Sequence, residues 1–251
     1  MDEGSGNLRD KVILITGAAQ GIGAATARLC AQRGAAVILA DVKAEKGEAE
    51  AAALRAAGHR ATFYPVDVRQ DEAVRELFEQ VRRDYGRLDV LICAAGVLQG
   101  AFLQPDEFPV EIFDFVMAVN VRGVFLCARY ATPLLAEAPK GVMILIGSGA
   151  GVIGGSSSIA YGASKGAVNG MGMTLERHLA PRGIRVNVVC PGGIETEMKL
   201  GVIQSQAARE GRSYDEMVAN SRLGDPAGVA RLLAYLASDD AEYVRRNVFT
   251  R

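Results

Sequence analysis

The 251-residue chain has few imidazoles and no clustered thiols. Its two histidines, His59 and His178, stand far apart, and neither has a second His or Cys at metal-ligand spacing. No metal site is therefore expected. The four cysteines, Cys30, Cys93, Cys127 and Cys190, contain no C-x-x-C pair and lie in apolar contexts. They read as buried free thiols in a reducing compartment. An excess of one charge is also missing: 28 Lys and Arg face 29 Asp and Glu, a net charge of −1. That balance argues against a nucleic-acid partner, which would call for a basic patch. No apolar run approaches the ~20 residues of a membrane helix. Met1–Asp10 lacks the basic start and apolar stretch of a signal peptide. A soluble, cytoplasmic chain without a membrane partner is the expectation. A hydrophobic fraction of 49% excludes a mostly disordered chain.

What is present is a rhythm. Short apolar, β-branched runs occur at Val12–Thr16, Ala36–Asp41, Thr62–Val66, Val90–Cys93, Val142–Ile146, Arg185–Cys190 and Val248–Thr250. Continuous apolar runs suit strands covered on both faces. Helical patterns alternate with them at Ile22–Arg33, Ala44–Ala57, Asp71–Tyr85, Glu111–Glu137, Ala160–Ala180 and Ala227–Ala237. Strand–helix–strand repetition predicts one α/β domain over 1–251: a doubly wound, Rossmann-type parallel sheet of about seven strands with helices on both faces. Met198–Leu223 breaks the rhythm and reads as a polar, irregular insert.

The 29 glycines concentrate where chemistry is expected. The first strand runs into Thr16-Gly17-Ala18-Ala19-Gln20-Gly21-Ile22-Gly23 and then a helix. Glycines there let backbone N–H groups approach a pyrophosphate, and the helix N-terminus adds partial positive charge. No Gly-Lys-Ser/Thr follows, which disfavours a triphosphate P-loop. Asp41 ends the second strand, where a carboxylate can accept from both ribose hydroxyls of an adenosine and would repel a 2′-phosphate. With no Arg at 18–20 or 42, the reading is NAD rather than NADP. Asp41 could equally cap the helix from Ala44. Asp67-Val68 ends the third strand, where Asp67 could meet the adenine edge or cap the next helix.

Tyr161 and Lys165 sit at i and i+4 of a helix, on one face. A free phenol ionises near pH ~10, and a neighbouring ammonium favours the phenolate. Ser148 lies just past the fifth strand, thirteen residues before Tyr161, on the edge where the first glycine turn opens. Asn120 lies in an apolar helical pattern, where a buried amide needs partners. It could be a core residue bonded to backbone, or hold a water or backbone group linked to Lys165.

Taken together, Thr16–Gly23, Asp41, Asp67-Val68, Asn120, Ser148, Tyr161/Lys165 and Pro191-Gly192-Gly193-Ile194-Glu195-Thr196 resemble the classical short-chain dehydrogenase/reductase family over roughly Asp10 to Arg251. The resemblance implies that Tyr161 is the general acid/base and that Lys165 lowers its pKa and binds the nicotinamide ribose. It implies that Ser148 orients the reacting oxygen and Asn120 supports a water relay. Gly17, Gln20, Gly21, Ile22 and Gly23 would hold the cofactor phosphates, and Asp41, Asp67, Val68, Ala95 and Gly96 the adenosine end. Pro191, Gly192, Ile194 and Thr196 would border the nicotinamide. A homo-oligomer, tetramer or dimer, built on Glu111–Glu137 and Ala160–Ala180 is also implied. Three places depart from the family pattern. Cys93-Ala94-Ala95-Gly96 replaces Asn-Asn-Ala-Gly, Gly147 stands where a second serine is common, and Arg251 falls short of the customary Asp-Gly-Gly turn.

A substrate wall is expected from Val97–Pro109, Gly149–Ser158 and Met198–Leu223, with 197–223 acting as a lid. The leading function is an NAD-dependent oxidoreductase that interconverts a secondary alcohol and a ketone. A 3-oxoacyl thioester reductase and a catalytically silent NAD-binding sensor are the alternatives.

Overall fold

The computed structural model describes residues 7–250, so the outer limits of the expected 1–251 domain and most of Met1–Asp10 lie outside the described residues. Seven strands are present: β1 (Val12–Thr16), β2 (Ala36–Asp41), β3 (Ala61–Pro65), β4 (Val90–Cys93), β5 (Gly141–Ile146), β6 (Ile184–Cys190) and β7 (Arg246–Phe249). They form one parallel sheet in the order β3-β2-β1-β4-β5-β6-β7. The helices are α1 (Gly21–Gln32), α2 (Ala44–Ala56), α3 (Asp71–Tyr85), α4 (Val110–Met117), α5 (Gly123–Glu137), α6 (Ile159–Leu179), α7 (Glu197–Glu210), α8 (Tyr214–Asn220) and α9 (Pro226–Ala237).

The apolar strand runs are explained by burial on both sides. In β1, Val12 and Leu14 pack into the core beneath α3, α5 and α6, whereas Ile13 and Ile15 pack beneath α1, α2 and α9. Successive side chains of a strand point to opposite faces, so a sheet sandwiched by helices needs apolar residues at every position. The doubly wound single domain read from the sequence is the observed fold.

Two segments differ from expectation. Glu111–Glu137 is not one regular helix: between α4 and α5 the chain widens into a single π-turn, Ala118–Arg122. Such turns are rare and cluster at functional sites, and this one carries Asn120. Met198–Leu223 is not irregular either. Thr196 caps α7 by accepting the Lys199 N–H, and Gly211 ends it in the left-handed conformation. Ser213 then caps α8 by accepting the Glu216 N–H. Ile203, Ala207 and Met217 bury against one another with Val218 and Leu223, a small core of their own. Among the described residues no helix is long and apolar enough to cross a membrane.

Candidate active site

Strand order reverses between β1 and β4, whose carboxyl ends lie side by side with Thr16 paired to Cys93. In open α/β sheets this is where ligands bind. Gly17 follows β1 at φ +69, and a Cβ on it would lie 2.6 Å from the Ala95 backbone. Only glycine fits this turn, on grounds of both conformation and space. It folds the chain onto the Ala94–Gly96 segment. The turn then enters α1, whose cap residue Gln20 makes no side-chain cap bond and whose first turn holds no acidic residue. The leading N–H groups, those of Gly21, Ile22 and Gly23, have no side-chain capping partner. An uncapped helix start of this kind suits the pyrophosphate of a dinucleotide.

Asp41 faces the same turn. Its carboxylate accepts the Ala19 N–H at 3.0 Å and the Lys43 N–H at 2.9 Å. Lys43, not Asp41, holds the cap position of α2. Asp67 caps no helix, since Gln70 has that position before α3. Instead Asp67 forms a forked pair with Arg69, at 2.9 and 2.6 Å, and accepts the Arg69 N–H. Arg69 holds the Asp67 carboxyl below its ordinary range, and its guanidinium lies 5.0 Å over the Phe115 ring. The Val68 side chain is buried against Gly123.

The Pro191–Thr196 loop closes over the phosphate turn. Ile194 anchors it in the core and bridges to Gly224. Thr196 stands so close to Gly21 that a Cβ there would meet its methyl group at 3.4 Å. Gly192, beside the buried Pro191, is exposed.

The four candidate catalytic residues converge at this edge. Ser158 starts α6 by accepting the Tyr161 N–H, which places Tyr161 and Lys165 on its first turns. The Ser148 oxygen accepts the Ala150 N–H at 3.1 Å, and its hydroxyl stands near enough to the Tyr161 phenol to act on its ionisation. Burial pushes the Tyr161 pKa up, and the Ser148 hydroxyl opposes it. Lys165 is buried, with Nζ donating to the Ile146 carbonyl at 2.8 Å and lying 5.6 Å from the Tyr161 ring. Burial lowers its pKa to about 8. Asn120 is fully buried; its Oδ1 accepts the Val97 N–H, and its Nδ2 donates to the Val97 carbonyl and to Ser164 Oγ. The amide is therefore bonded chiefly to backbone. Gly96 lies between Asn120 and Lys165: a Cβ there would be 3.4 Å from Asn120 Oδ1 and 3.6 Å from Lys165 Nζ.

The three substrate-wall segments meet. Phe102 N–H donates to Ser157 at 2.6 Å and Ser158 Oγ donates to Gln99. From α7, Arg209 stacks 5.5 Å over the Phe102 ring and donates to its carbonyl.

Three features escaped the sequence reading. Cys190 lines the site: the Ser148 N–H and the Lys165 ammonium both lie near enough to act on its thiol electrostatically. Lys43 and Lys46 both reach Gln20, at 2.6 and 3.2 Å. They belong to the start of α2, beyond the positions where a basic residue was sought. The Cys93 thiol, in place of an amide, is buried beside the free thiol of Cys127.

A family model described as short chain dehydrogenase matches residues 11–207. The chain belongs to that family. It is 37% identical over 239 residues to the cis-4-hydroxycyclohexanecarboxylate dehydrogenase of Sinomonas cyclohexanicum, covering 94% of this chain and 92% of the relative. It is 36% identical to the 3-oxoacyl-acyl-carrier-protein reductase FabG of Thermotoga maritima, covering 96% of each. The crystal structure of levodione reductase superposes with a TM-score of 0.89 at 30% identity, covering 96% of each chain. As a short-chain dehydrogenase the protein is an oxidoreductase, from a family that uses nicotinamide cofactors.

Proposed function

We propose that this short-chain dehydrogenase interconverts a secondary alcohol and a ketone with NAD. The observation that carries the reading is the Ser148–Tyr161–Lys165 array at the same sheet edge as the uncapped α1 N-terminus and Asp41. Gly17–Gly23 would hold the pyrophosphate and Asp41 the adenosine ribose, with Asp67, Val68, Ala95 and Gly96 around the adenine end. Lys165 would meet the second ribose, and Pro191, Gly192, Ile194 and Thr196 the nicotinamide.

The nicotinamide, when bound, supplies or accepts the hydride. The chain's own residues handle the proton and the geometry. Tyr161 Oη gives or takes the proton of the reacting oxygen. Ser148 turns its hydroxyl from the phenol toward that oxygen and fixes its position. The Lys165 ammonium opposes the effect of burial on Tyr161 and favours its phenolate. Asn120 acts at one remove, holding Val97 and Ser164 in place. General acid–base help of this kind contributes on the order of 10²–10⁴-fold.

The substrate is a small alcohol or ketone, bounded by Leu98, Phe102, Val152 and Met198. The chemistry named for the Sinomonas relative, a ring alcohol, supports this class. Residues 197–223 act as a lid, hinged at Thr196 and docked through Arg209 on Phe102. The protein works as a homo-oligomer in the cytoplasm. Exposed Phe125 on α5 and Met173 on α6 support an intersubunit face. A panel of alcohols, sugars, steroids and 3-oxoacyl thioesters, followed by NADH absorbance, tests the activity. Turnover confined to the thioesters would transfer the assignment to an acyl thioester reductase.

A further inference from the structure

Two ammonium groups stand at the rim where the adenosine ribose is placed, beside the carboxylate that argues for NAD. Lys43 and Lys46 both donate to Gln20 Oε1. Both are also paired with Glu197, Lys43 at 3.4 Å and Lys46 more closely. Glu197 belongs to neither the phosphate turn nor β2. It is the first residue of α7, next to Thr196, and so arrives from the lid. Asp41, on the same rim, accepts the Lys43 backbone N–H.

We infer that Glu197 is a cofactor-specificity residue that acts from the lid, cancelling Lys43 and Lys46 so that a 2′-phosphate finds no free cation at this rim. The inference rests on the placement of the adenosine ribose at Asp41. The charges decide it. Glu197 is the carboxylate partner of both ammonium groups, and Asp41, held to the Lys43 backbone N–H, adds the second negative charge that balances the two lysines on this rim. A phosphate monoester brings roughly −1.5 to −2 charges. It would have to displace Glu197 to reach either lysine and would still face Asp41. Without the Glu197 charge, these four residues carry one net positive charge, and the two ammonium groups keep only the neutral Gln20 Oε1 as partner. Lys46 and Lys43 hold the Glu197 carboxyl below its ordinary range, as a charged counter-ion must be. The three side chains are about half exposed, so the discrimination is electrostatic and screened by salt.

The test is calorimetric binding of adenosine 2′,5′-bisphosphate and of 5′-AMP to the full chain at low ionic strength. The ratio of the two affinities is the readout. Glu197→Gln is expected to move that ratio toward the bisphosphate by about 10-fold. Adding Lys43→Met and Lys46→Met to Glu197→Gln is expected to return it to the wild-type value. A ratio that Glu197→Gln leaves unmoved overturns the inference, as does a gain that persists without the two lysines. Asp41→Ala separates the two levels. If it weakens 5′-AMP binding while Glu197→Gln does nothing, only the role of Glu197 falls. If it leaves 5′-AMP binding intact, the ribose is not at Asp41 and both readings fall.

Discussion

Asn120 grips both backbone polar groups of Val97: its Oδ1 accepts the Val97 N–H at 2.8 Å and its Nδ2 donates to the Val97 carbonyl at 2.9 Å. The same Nδ2 reaches Ser164 Oγ on α6 at 2.9 Å. One buried amide thus fixes the start of the substrate loop against the helix that carries Tyr161 and Lys165. Asn120→Leu would strip the Val97 N–H and carbonyl of their partner within the protein interior, while Ser164 Oγ keeps its bond to the Tyr161 carbonyl. Each unsatisfied group costs about 1–3 kcal/mol, with some relief from water at the Val97 side. The expected loss is about 3 kcal/mol, read as a lower urea midpoint at unchanged slope. Turnover should fall with it. A variant with an unaltered midpoint would show that the Val97 groups find other partners.

Lys165 is a stability liability kept for chemistry. Burial lowers its pKa from 10.5 to about 8. Between those values the unfolded chain binds more protons than the native one, so stability rises with pH across the window. Below about pH 8 the cost of the buried charge is fully present, on the order of 3 kcal/mol for such a shift. Lys165→Met removes that cost and leaves the Ile146 carbonyl without its 2.8 Å donor. The expected net effect at pH 7 is stabilisation by about 1–2 kcal/mol with loss of turnover. The gap between the two proteins should close as pH rises through about 8 and reverse toward 10.5, where only the lost bond to the Ile146 carbonyl remains. Urea unfolding of the cofactor-free proteins at several pH values measures it. A gap independent of pH would show that Lys165 is not desolvated in the native state.

How much of this was legible in the sequence follows from what each signal depends on. The boundaries of β1, β2 and β4 coincide with their apolar runs because those strands are buried on both faces, a local requirement at every position. Helices α7 and α8 were missed because they bury little apolar surface. Ile203, Ala207 and Met217 pack mainly on each other, too sparsely for a helical period to stand out. Their caps, Thr196 and Ser213, were readable and were passed over. Asp41 and the glycine turn were legible because strand order alone brings them together. The Asp67–Arg69 fork was not, since nothing in the strand pattern turns the Arg69 side chain back onto Asp67. Lys43, Lys46 and Glu197 were invisible for a further reason. Glu197 is more than 150 positions along the chain from the lysines, at |i−j| of 154 and 151, and only the fold sets them on one rim.

Burial and Ser148 pull the Tyr161 phenol in opposite directions, upward and downward respectively. Alcohol oxidation uses the phenolate, so its rate should climb with pH up to the working pKa and then level off. Ser148→Ala removes the downward influence. The rising limb should then move to higher pH. Tyr161→Phe should lower turnover by at least about 10²–10⁴-fold at every pH while NAD binding survives. The kcat profile in the oxidative direction checks both. A Ser148→Ala profile that falls in height without shifting would confine that residue to holding the substrate.

Gly147 and Cys190 occupy one space at the back of the site. A Cβ on Gly147 would lie 2.9 Å from Cys190 Sγ and 2.9 Å from Val188 Cγ1. Both neighbours are buried at 1% exposure, and neither can swing into solvent. The glycine is thus a consequence of the thiol: where Cys190 fills the pocket, residue 147 has no room for a side chain. Gly147→Ser should cost about 1–3 kcal/mol, the usual range for an overpacked core. Cys190→Ala alone should cost about 1 kcal/mol, by opening a small cavity. Combined, the two changes should cost less than the sum of the singles by at least about 0.5 kcal/mol, because the serine enters space the thiol has vacated. Val188 still limits that space, so the double variant is not expected to reach wild-type stability. The cycle is measured by urea unfolding of the four proteins. Strict additivity would mean that Val188, rather than Cys190, keeps residue 147 a glycine.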